Sequence, residues 1–182
     1  KTLEKLGAHL VEVDLPSAPQ QRKIFDDIVG PEAYVYHEQF LKEHGDLYGD
    51  VKNRIEPGRT ILATEYVRAQ RAREAMRLEC EKMFVDADVI VTPTLPIPPP
   101  RIDSLHKPWG EDSETAIASL TRFTRPFNIV GLPAVSIPCG FTTDGLPVGM
   151  QIAGRSFDEA TVLRVAHAYE MDTKWFQRST KF

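Results

Sequence analysis

Three residues that follow a short apolar run have the types and the position expected of a ligand-binding edge. The run is "DVIV", residues 88–91, and Thr92, Pro93 and Thr94 come directly after it. A short, β-branched, uniformly apolar run is typical of a parallel strand covered on both faces. Ligands in open α/β sheets gather at the carboxyl ends of such strands. We therefore expect Thr92, Pro93 and Thr94 to line a substrate pocket.

A second group of candidate pocket residues lies in the segment "LTRFTRPFNIVG", which is predicted to be helical. Phe123, Thr124 and Asn128 lie near the start of this helix. Asn128 also has a structural explanation, because its side-chain amide can cap or bridge backbone groups. Arg122 and Arg125 either bind a carboxylate or face water, and the sequence leaves both interpretations open.

The sequence contains no complete catalytic constellation. The patterns G-x-S-x-G, G-x-G-x-x-G and H-E-x-x-H and the Walker loop are all absent, and the five histidines lack metal-ligand spacing. Residues 104–107, "SLHK", match S-x-x-K, but they follow a proline run instead of opening a helix, and the companion motifs are absent. We interpret this match as chance. The sequence predicts no metal and no cofactor.

Composition excludes several classes of protein. The chain of 182 residues has 42% hydrophobic and 26% charged residues, which is typical of one globular domain. A net charge of -4 gives no reason to expect a nucleic-acid partner or an anionic membrane. No apolar run approaches the roughly 20 residues that span a bilayer. Cys80 and Cys139 are far apart in sequence, which favours reduced thiols in a cytoplasmic protein.

The elements that must position the candidate residues alternate between helices and strands. In the first half of the chain the sequence predicts a helix ending at Gly7, a strand over residues 9–15, and helical residues 20–44 with a break or kink at Gly30 and Pro31. A helix from an N-cap at Thr60 to about Val85 and a strand over residues 88–92 follow. The second half is predicted to contain a helix from about Ser113, a hairpin of residues 133–141 and 147–154 joined through "TTDG", and a helix that begins after a Ser156/Glu159 capping box.

Two apolar faces and one charged face complete these predictions. The buried faces are expected to contain Leu62, Tyr66, Ala69, Met76 and Met83 on one helix and Val162, Leu163, Ala166 and Tyr169 on another. Arginines and glutamates interleave between residues 59 and 81, which predicts a solvated face with salt bridges. Together the elements predict a layered α/β domain with a mixed, mostly parallel sheet.

Four motifs in order resemble the amidase signature family. They are "DVIVTPTLP" (residues 88–96), "FNIVGLPAVSIPCGF" (127–141), "GLPVGMQIAGR" (145–155) and "DEATVLRVAHAYE" (158–170). The opening "LEKLGAHLVEVDLP" is similar to the family's helix–strand unit after its catalytic segment. The resemblance implies that residues 1–182 form the C-terminal portion of a single α/β/α domain whose N-terminal catalytic portion is absent. The start of the chain in the middle of a predicted helix, without Met, agrees with that expectation.

The resemblance also implies the chemistry. Enzymes of this family cleave carboxamide C–N bonds through an acyl-enzyme, using a nucleophilic Ser, a bridging Ser in a cis peptide and a Lys, with a Gly/Ser-rich loop holding the oxyanion. Nothing in this chain matches that loop, and Ser136 lies in the middle of a predicted strand. The implied catalytic residues therefore all lie outside this chain. The implied partners are a small amide substrate and the protein's own N-terminal portion. A second copy of the protein, in a homodimer, is a further candidate partner.

Three functions remain open at this point. The first is an amidase acting on linear amides, of which this segment alone is predicted to be inactive. The second is the glutaminase, or A, subunit of a tRNA-dependent amidotransferase, whose C-terminal sequence is hard to tell from that of a free amidase. The third is a non-catalytic α/β binding or scaffold module. A serine loop encoded upstream of Lys1 would separate the first two from the third.

Overall fold

The computed structural model describes residues 1–101 and 120–178. The S-x-x-K match at residues 104–107 and the start of the helix predicted from Ser113 lie outside these ranges.

Helices and strands both occur in the described residues, which agrees with the predicted α/β class. The α-helices are α1 (Thr2–Lys5), α2 (Ala18–His44), α3 (Lys52–Ile55), α4 (Ala63–Lys82), α5 (Arg125–Val130) and α6 (Glu159–Thr173). The strands are β1 (Val89–Pro93), β2 (Ala134–Phe141) and β3 (Pro147–Gly154). Short 3-10 helices cover Gly45–Val51, Glu56–Thr60 and Trp175–Gln177.

The predicted hairpin is confirmed. Strands β2 and β3 pair antiparallel, with Val135 opposite Ile152 and Ile137 opposite Met150. At the turn the Gly145 backbone N–H donates to the Thr142 carbonyl at 3.0 Å. Gly145 has a φ of 81°, a left-handed conformation that glycine adopts without a steric penalty. The glycine that marked the turn in the sequence is therefore required by the backbone there.

Strand β1 differs from its predicted direction. It pairs antiparallel with β3, from Val89 opposite Gly154 to Pro93 opposite Met150, and gives the order β1-β3-β2. Among the described residues, every strand pairing is thus antiparallel. Ile90 is 3% exposed but Val91 is 39% exposed, so one face of β1 is uncovered here. An apolar run indicates that a strand is buried. It does not indicate whether the neighbouring strand runs parallel or antiparallel to it.

The strand predicted over residues 9–15 is wrong. No regular element lies between α1 and α2 in the described chain, and Leu10, Val11 and Val13 are all exposed. Alternating residues form a strand only when a neighbouring edge pairs with their backbone groups. This segment pairs with none of the three described strands.

Of the break or kink predicted at Gly30 and Pro31, the break is also wrong, because α2 runs through both residues, and the kink stays a prediction. The physical reason is a close backbone contact. A Cβ atom at Gly58 would lie 2.0 Å from the Gly30 carbonyl oxygen, so the 3-10 helix Glu56–Thr60 touches α2 at this point. Packing at the kink-prone position holds α2 together although Pro31 donates no backbone hydrogen bond there.

Helix α4 begins later than predicted. Thr60 belongs to the preceding 3-10 helix, where its hydroxyl donates to the Pro57 carbonyl at 2.9 Å. Leu62 is the N-cap residue, and its backbone N–H donates to the Glu65 carboxylate at 3.0 Å. The glutamate supplies the reciprocal half of a capping box, which replaces the expected threonine cap.

The buried face of α4 is confirmed in its central part. Ala69 and Met76 are buried, and Tyr66 and Met83 pack against the core. Leu62 is 63% exposed, because it precedes the helix instead of facing the core from within it. The predicted solvated face is confirmed by Arg77, which binds Glu74 and Glu81.

Helix α6 covers the sheet. A Cβ atom at Gly154 would lie 2.5 Å from Val162 Cγ2, so the helix crosses β3 at close range. Val162, Ala166 and Tyr169 are buried as predicted, whereas Leu163 is 58% exposed and is a wrong prediction.

The predicted cap of α6 is wrong as well. Asp158, not Ser156, is the N-cap residue, and its carboxylate accepts from the Thr161 backbone N–H at 3.3 Å. An aspartate caps as well as a serine, so the sequence offered two candidates two residues apart.

Candidate functional site

A cavity of about 630 Å³ lies between α2, residues 53–61 and residues 121–128. Its volume falls within the range of small-molecule sites. Its apolar wall includes Phe25, Val29, Ala33, Ile55, Pro57 and Ile61. Its polar and charged lining includes Arg22, Asp26, Asn53, Arg54, Thr121, Thr124, Arg125 and Asn128. We call it the main cavity.

Two of the six predicted pocket residues line the main cavity. Thr124, the residue before α5, and Asn128, within α5, both line it. Phe123 instead lines a smaller cavity of about 320 Å³, formed with residues 13–18 and Gln21. Thr92, Pro93 and Thr94 line neither of these two cavities. Their placement in the pocket of the complete protein stays a prediction.

Gln151 connects the two predicted groups. Its side-chain Nε2 donates to the Thr92 hydroxyl at 3.1 Å and to the Phe123 carbonyl at 2.9 Å. Gln151 is 5% exposed and lies opposite Thr92 in the β1–β3 register. Sequence reasoning missed this residue. The available signal was a lone amide in the apolar strand "VGMQIAG", since buried polar groups usually have hydrogen-bond partners.

The side-chain hydroxyl and the backbone N–H of Thr94 each have a hydrogen-bond partner. Its hydroxyl lies 2.6 Å from the Ser136 hydroxyl, and its backbone N–H donates to the Gly149 carbonyl at 2.9 Å. A Cβ atom at Gly149 would lie 2.7 Å from Thr94 Oγ1 and 3.0 Å from Ser136 Oγ, so only glycine leaves room for the pair. The described partner of the Ser136 hydroxyl is therefore the Thr94 hydroxyl, and that Ser136 is not the nucleophile stays a prediction.

The charged side chains of the main cavity are mostly basic. Arg22 donates through Nε to the Asp26 carboxylate. Arg125 is 6% exposed, and burial lowers the pKa of its guanidinium from the ordinary value. Arg122, the other arginine singled out in the sequence, is exposed and lines the smaller cavity, with its Cζ 5.7 Å from the Phe123 ring centroid. Of the two, only Arg125 lines the main cavity.

Residues suited to metal binding are not grouped in the part of the chain that the structure describes. No three His, Cys, Asp or Glu side chains there come close enough together to hold an ion. Cys80 and Cys139 are both free thiols. Burial raises the pKa of the Cys80 thiol to about 11, with a smaller contribution from Glu79. A thiol with so high a pKa is a core group instead of a nucleophile.

Comparison with known proteins adds sequence and structural relatives. The family model described as Amidase matches residues 1–163. An amidase of Pseudomonas putida is 42% identical over 178 residues, covering 97% of this chain and 38% of the relative. The A subunit of the glutamyl-tRNA(Gln) amidotransferase of Myxococcus xanthus is 34% identical over 203 residues, covering 97% of this chain and 40% of the relative. This chain thus spans about two fifths of the length of these curated relatives.

Solved structures that superpose on this chain include members of the same two groups, an amidase and an amidotransferase A subunit. A crystal structure of an amidase superposes with a TM-score of 0.80 at 28% identity, covering 93% of this chain and 39% of that one. The A subunit of the glutamyl-tRNA(Gln) amidotransferase of Thermotoga maritima superposes with a TM-score of 0.70 at 27% identity, covering 94% of this chain and 36% of that one. The predicted resemblance and the predicted α/β fold class are both confirmed.

Proposed function

Since this chain belongs to the amidase family, we propose that the complete protein is an amidase that hydrolyses the C–N bond of small linear carboxamides. The observation that carries this proposal is the match of the family model to residues 1–163. The main cavity supports it, because it combines an apolar wall with a few polar groups from α5 and α2, as small-molecule sites do.

We place the reacting groups in the N-terminal portion, outside this chain. There a serine hydroxyl attacks the amide carbonyl, the leaving amine takes up a proton, and water hydrolyses the resulting ester to free acid and serine. A second serine and a neutral lysine relay the proton. The residues of this chain bind and orient the substrate. Thr124 and Asn128 are the polar groups of α5 and its N-cap that we assign to that role.

A glutaminase subunit of a tRNA-dependent amidotransferase is the second candidate. It is supported by the relatives from Myxococcus xanthus and from Geobacillus stearothermophilus, which are 34% and 35% identical to this chain and are both the A subunit of glutamyl-tRNA(Gln) amidotransferase. Such a protein would need partner proteins for its reaction. A free amidase would need no other protein, and a second copy of the same chain, in a homodimer, is its candidate partner.

The complete protein is proposed to be cytoplasmic. The two free thiols, Cys80 and Cys139, support a reducing compartment. Over the described residues, the structure contains no helix with the length and apolar character needed to cross a membrane.

The test is hydrolysis by the full-length protein. Ammonia release would be measured with a panel of aliphatic and aromatic carboxamides and with glutamine, and a fluorophosphonate probe would label the reactive serine. We expect hydrolysis of simple amides without partner proteins, and no labelling of residues 1–182 expressed alone. Activity on glutamine only, and only with partner proteins, would replace the first candidate by the second. Labelling of residues 1–182 alone would place a nucleophile in this chain and refute the proposed division of roles.

A further inference from the structure

The guanidinium of Arg125 is a buried cation in the wall of the main cavity. Arg125 is the first residue of α5 and is 6% exposed. Its Nη2 donates to the Thr121 hydroxyl, and its Cζ lies 5.7 Å from the centroid of the Phe25 ring. Both neighbours are neutral, so neither balances the positive charge.

No Asp or Glu among the described residues forms a salt bridge with Arg125. Asp26, which also lines the main cavity, instead accepts a hydrogen bond from Arg22. Burial lowers the pKa of Arg125, the charge of Arg22 lowers it further, and Asp26 opposes both effects. Arginine nevertheless stays protonated in proteins, so the described part of the cavity wall carries more positive than negative charge. Such a charge is costly to bury unless an anion pairs with it.

The rest of the main cavity has the character of a site for a short anionic molecule. Its described lining contains three arginines, Arg22, Arg54 and Arg125, but the single carboxylate of Asp26. Phe25, Val29 and Ile61 contribute an apolar surface close to these charges. A ligand with a carboxylate at one end and a carbon spacer would satisfy both features.

We infer that Arg125 binds a carboxylate of the substrate, so that the complete enzyme prefers amides that carry a second, ionised carboxyl group. The planar guanidinium presents a fork of donors that matches the two oxygens of a carboxylate, and a lysine at this position would not reproduce it. This inference rests on the proposed function for the statement that the substrate is an amide.

The experiment compares matched pairs of substrates on the full-length enzyme. The monoamides of succinic, glutaric and adipic acid carry one carboxylate, and the corresponding diamides are nearly isosteric and neutral. We expect kcat/KM for at least one monoamide to exceed that for its diamide by roughly tenfold or more. Arg125→Met should lower kcat/KM for that monoamide roughly 10- to 100-fold and change the diamide value by about threefold or less. Arg122→Met is the control, because Arg122 lies outside the main cavity.

Several results would overturn the inference. One is an equal rate with the mono- and diamide of every pair, and another is an equal loss for both members of a pair in Arg125→Met. Arg125→Lys keeps the charge without the fork and should also lose most of the preference. If neither Arg125 variant folds, judged by circular dichroism, the wild-type enzyme decides: the absence of any preference for monoamides together with the absence of any Tm shift with the dicarboxylates overturns the inference.

A binding measurement separates this inference from the proposed function. Succinate, glutarate and adipate are added to the wild-type enzyme and to Arg125→Met, and the shift in Tm is recorded. A dicarboxylate that raises the Tm of the wild type but not of the variant supports the anion site even if no amide is hydrolysed, in which case the proposed function alone fails. Hydrolysis of amides with no such shift and no preference for monoamides leaves the proposed function intact and removes the inference.

Discussion

The side-chain amide of Gln151 in β3 donates a hydrogen bond to the Phe123 carbonyl at 2.9 Å, across 28 residues of chain. The same nitrogen donates to the Thr92 hydroxyl in β1. One buried side chain therefore attaches the segment that leads into α5 to the three-stranded sheet. Thr124 and Arg125, which line the main cavity, follow directly after Phe123. The sheet thus determines where that wall of the cavity lies.

Replacing Gln151 by Met should detach this wall. The variant keeps the side-chain volume but leaves the Phe123 carbonyl without its donor, and we expect a loss of roughly 1–3 kcal/mol in the free energy of unfolding. Thr92→Val is the matched control, because it removes one acceptor while Gln151 keeps the bond to Phe123. Urea denaturation of the full-length protein would measure both. An equal loss in the two variants would show that the Phe123 bond contributes nothing of its own.

Replacing Gly58 by alanine should destabilise the fold more than replacing Gly30 by alanine. A Cβ atom at Gly58 would overlap the Gly30 carbonyl oxygen at 2.0 Å, whereas one at Gly30 would meet the flexible end of Ile61 at 3.0 Å. We expect Gly58→Ala to cost roughly 1–3 kcal/mol of stability through overpacking. Gly30→Ala should change stability by about 1 kcal/mol or less, because the gain in helix propensity offsets a small contact.

Thermal unfolding of the two full-length variants would test this ranking. Both glycines line the main cavity, so a change in the affinity for small amides is expected from Gly58→Ala as well. The reverse order of stabilities would mean that α2 and the 3-10 helix Glu56–Thr60 are not in backbone contact.

Enlarging Thr124 should narrow the main cavity. Thr124→Leu fills space in the cavity that Asn128 also lines, and we expect kcat/KM for a bulky amide to fall roughly tenfold relative to that for a small one. Thr94→Leu is the informative comparison, because Thr94 was predicted as a pocket residue but does not line this cavity. If only Thr94→Leu changes the ratio of the two substrates, the pocket lies at the end of β1 instead of at α5.

Cys80 should make the fold less stable at alkaline pH. Burial raises the pKa of its thiol to about 11, whereas an unfolded cysteine has a pKa of about 8.5. The unfolded chain therefore loses this proton first, so the stabilising contribution is present below about pH 8.5 and is lost as the pH rises toward 11.

The Cys80 effect can be isolated by substitution. In Cys80→Ala the decline in unfolding free energy between about pH 8.5 and 11 should be shallower than in the wild type. Cys139→Ala is the control, because Cys139 is only half-buried and burial raises its pKa without so large a shift. Parallel pH profiles for the wild type and Cys80→Ala would contradict the assignment.

The sequence by itself determined the features that depend on local chemistry. The hairpin of β2 and β3 follows from two β-rich runs around an Asp-Gly turn, and Gly145 has the left-handed φ that such a turn needs. The salt-bridged face of α4 follows from residues three and four apart, which are neighbours on any helix. The family resemblance also came from motif order alone. None of these features requires knowledge of distant contacts.

The tertiary structure decided the features that depend on contacts between distant segments. Whether residues 9–15 form a strand depends on a partner edge, and whether α2 breaks at Pro31 depends on Gly58, which lies 27 residues away. The burial of Arg125 without a described counter-charge, and the bridge from Gln151 to Phe123, arise only when α2, α5 and β3 are packed together. Local pattern carries no information on these distances, because they are set by the packing of the whole chain.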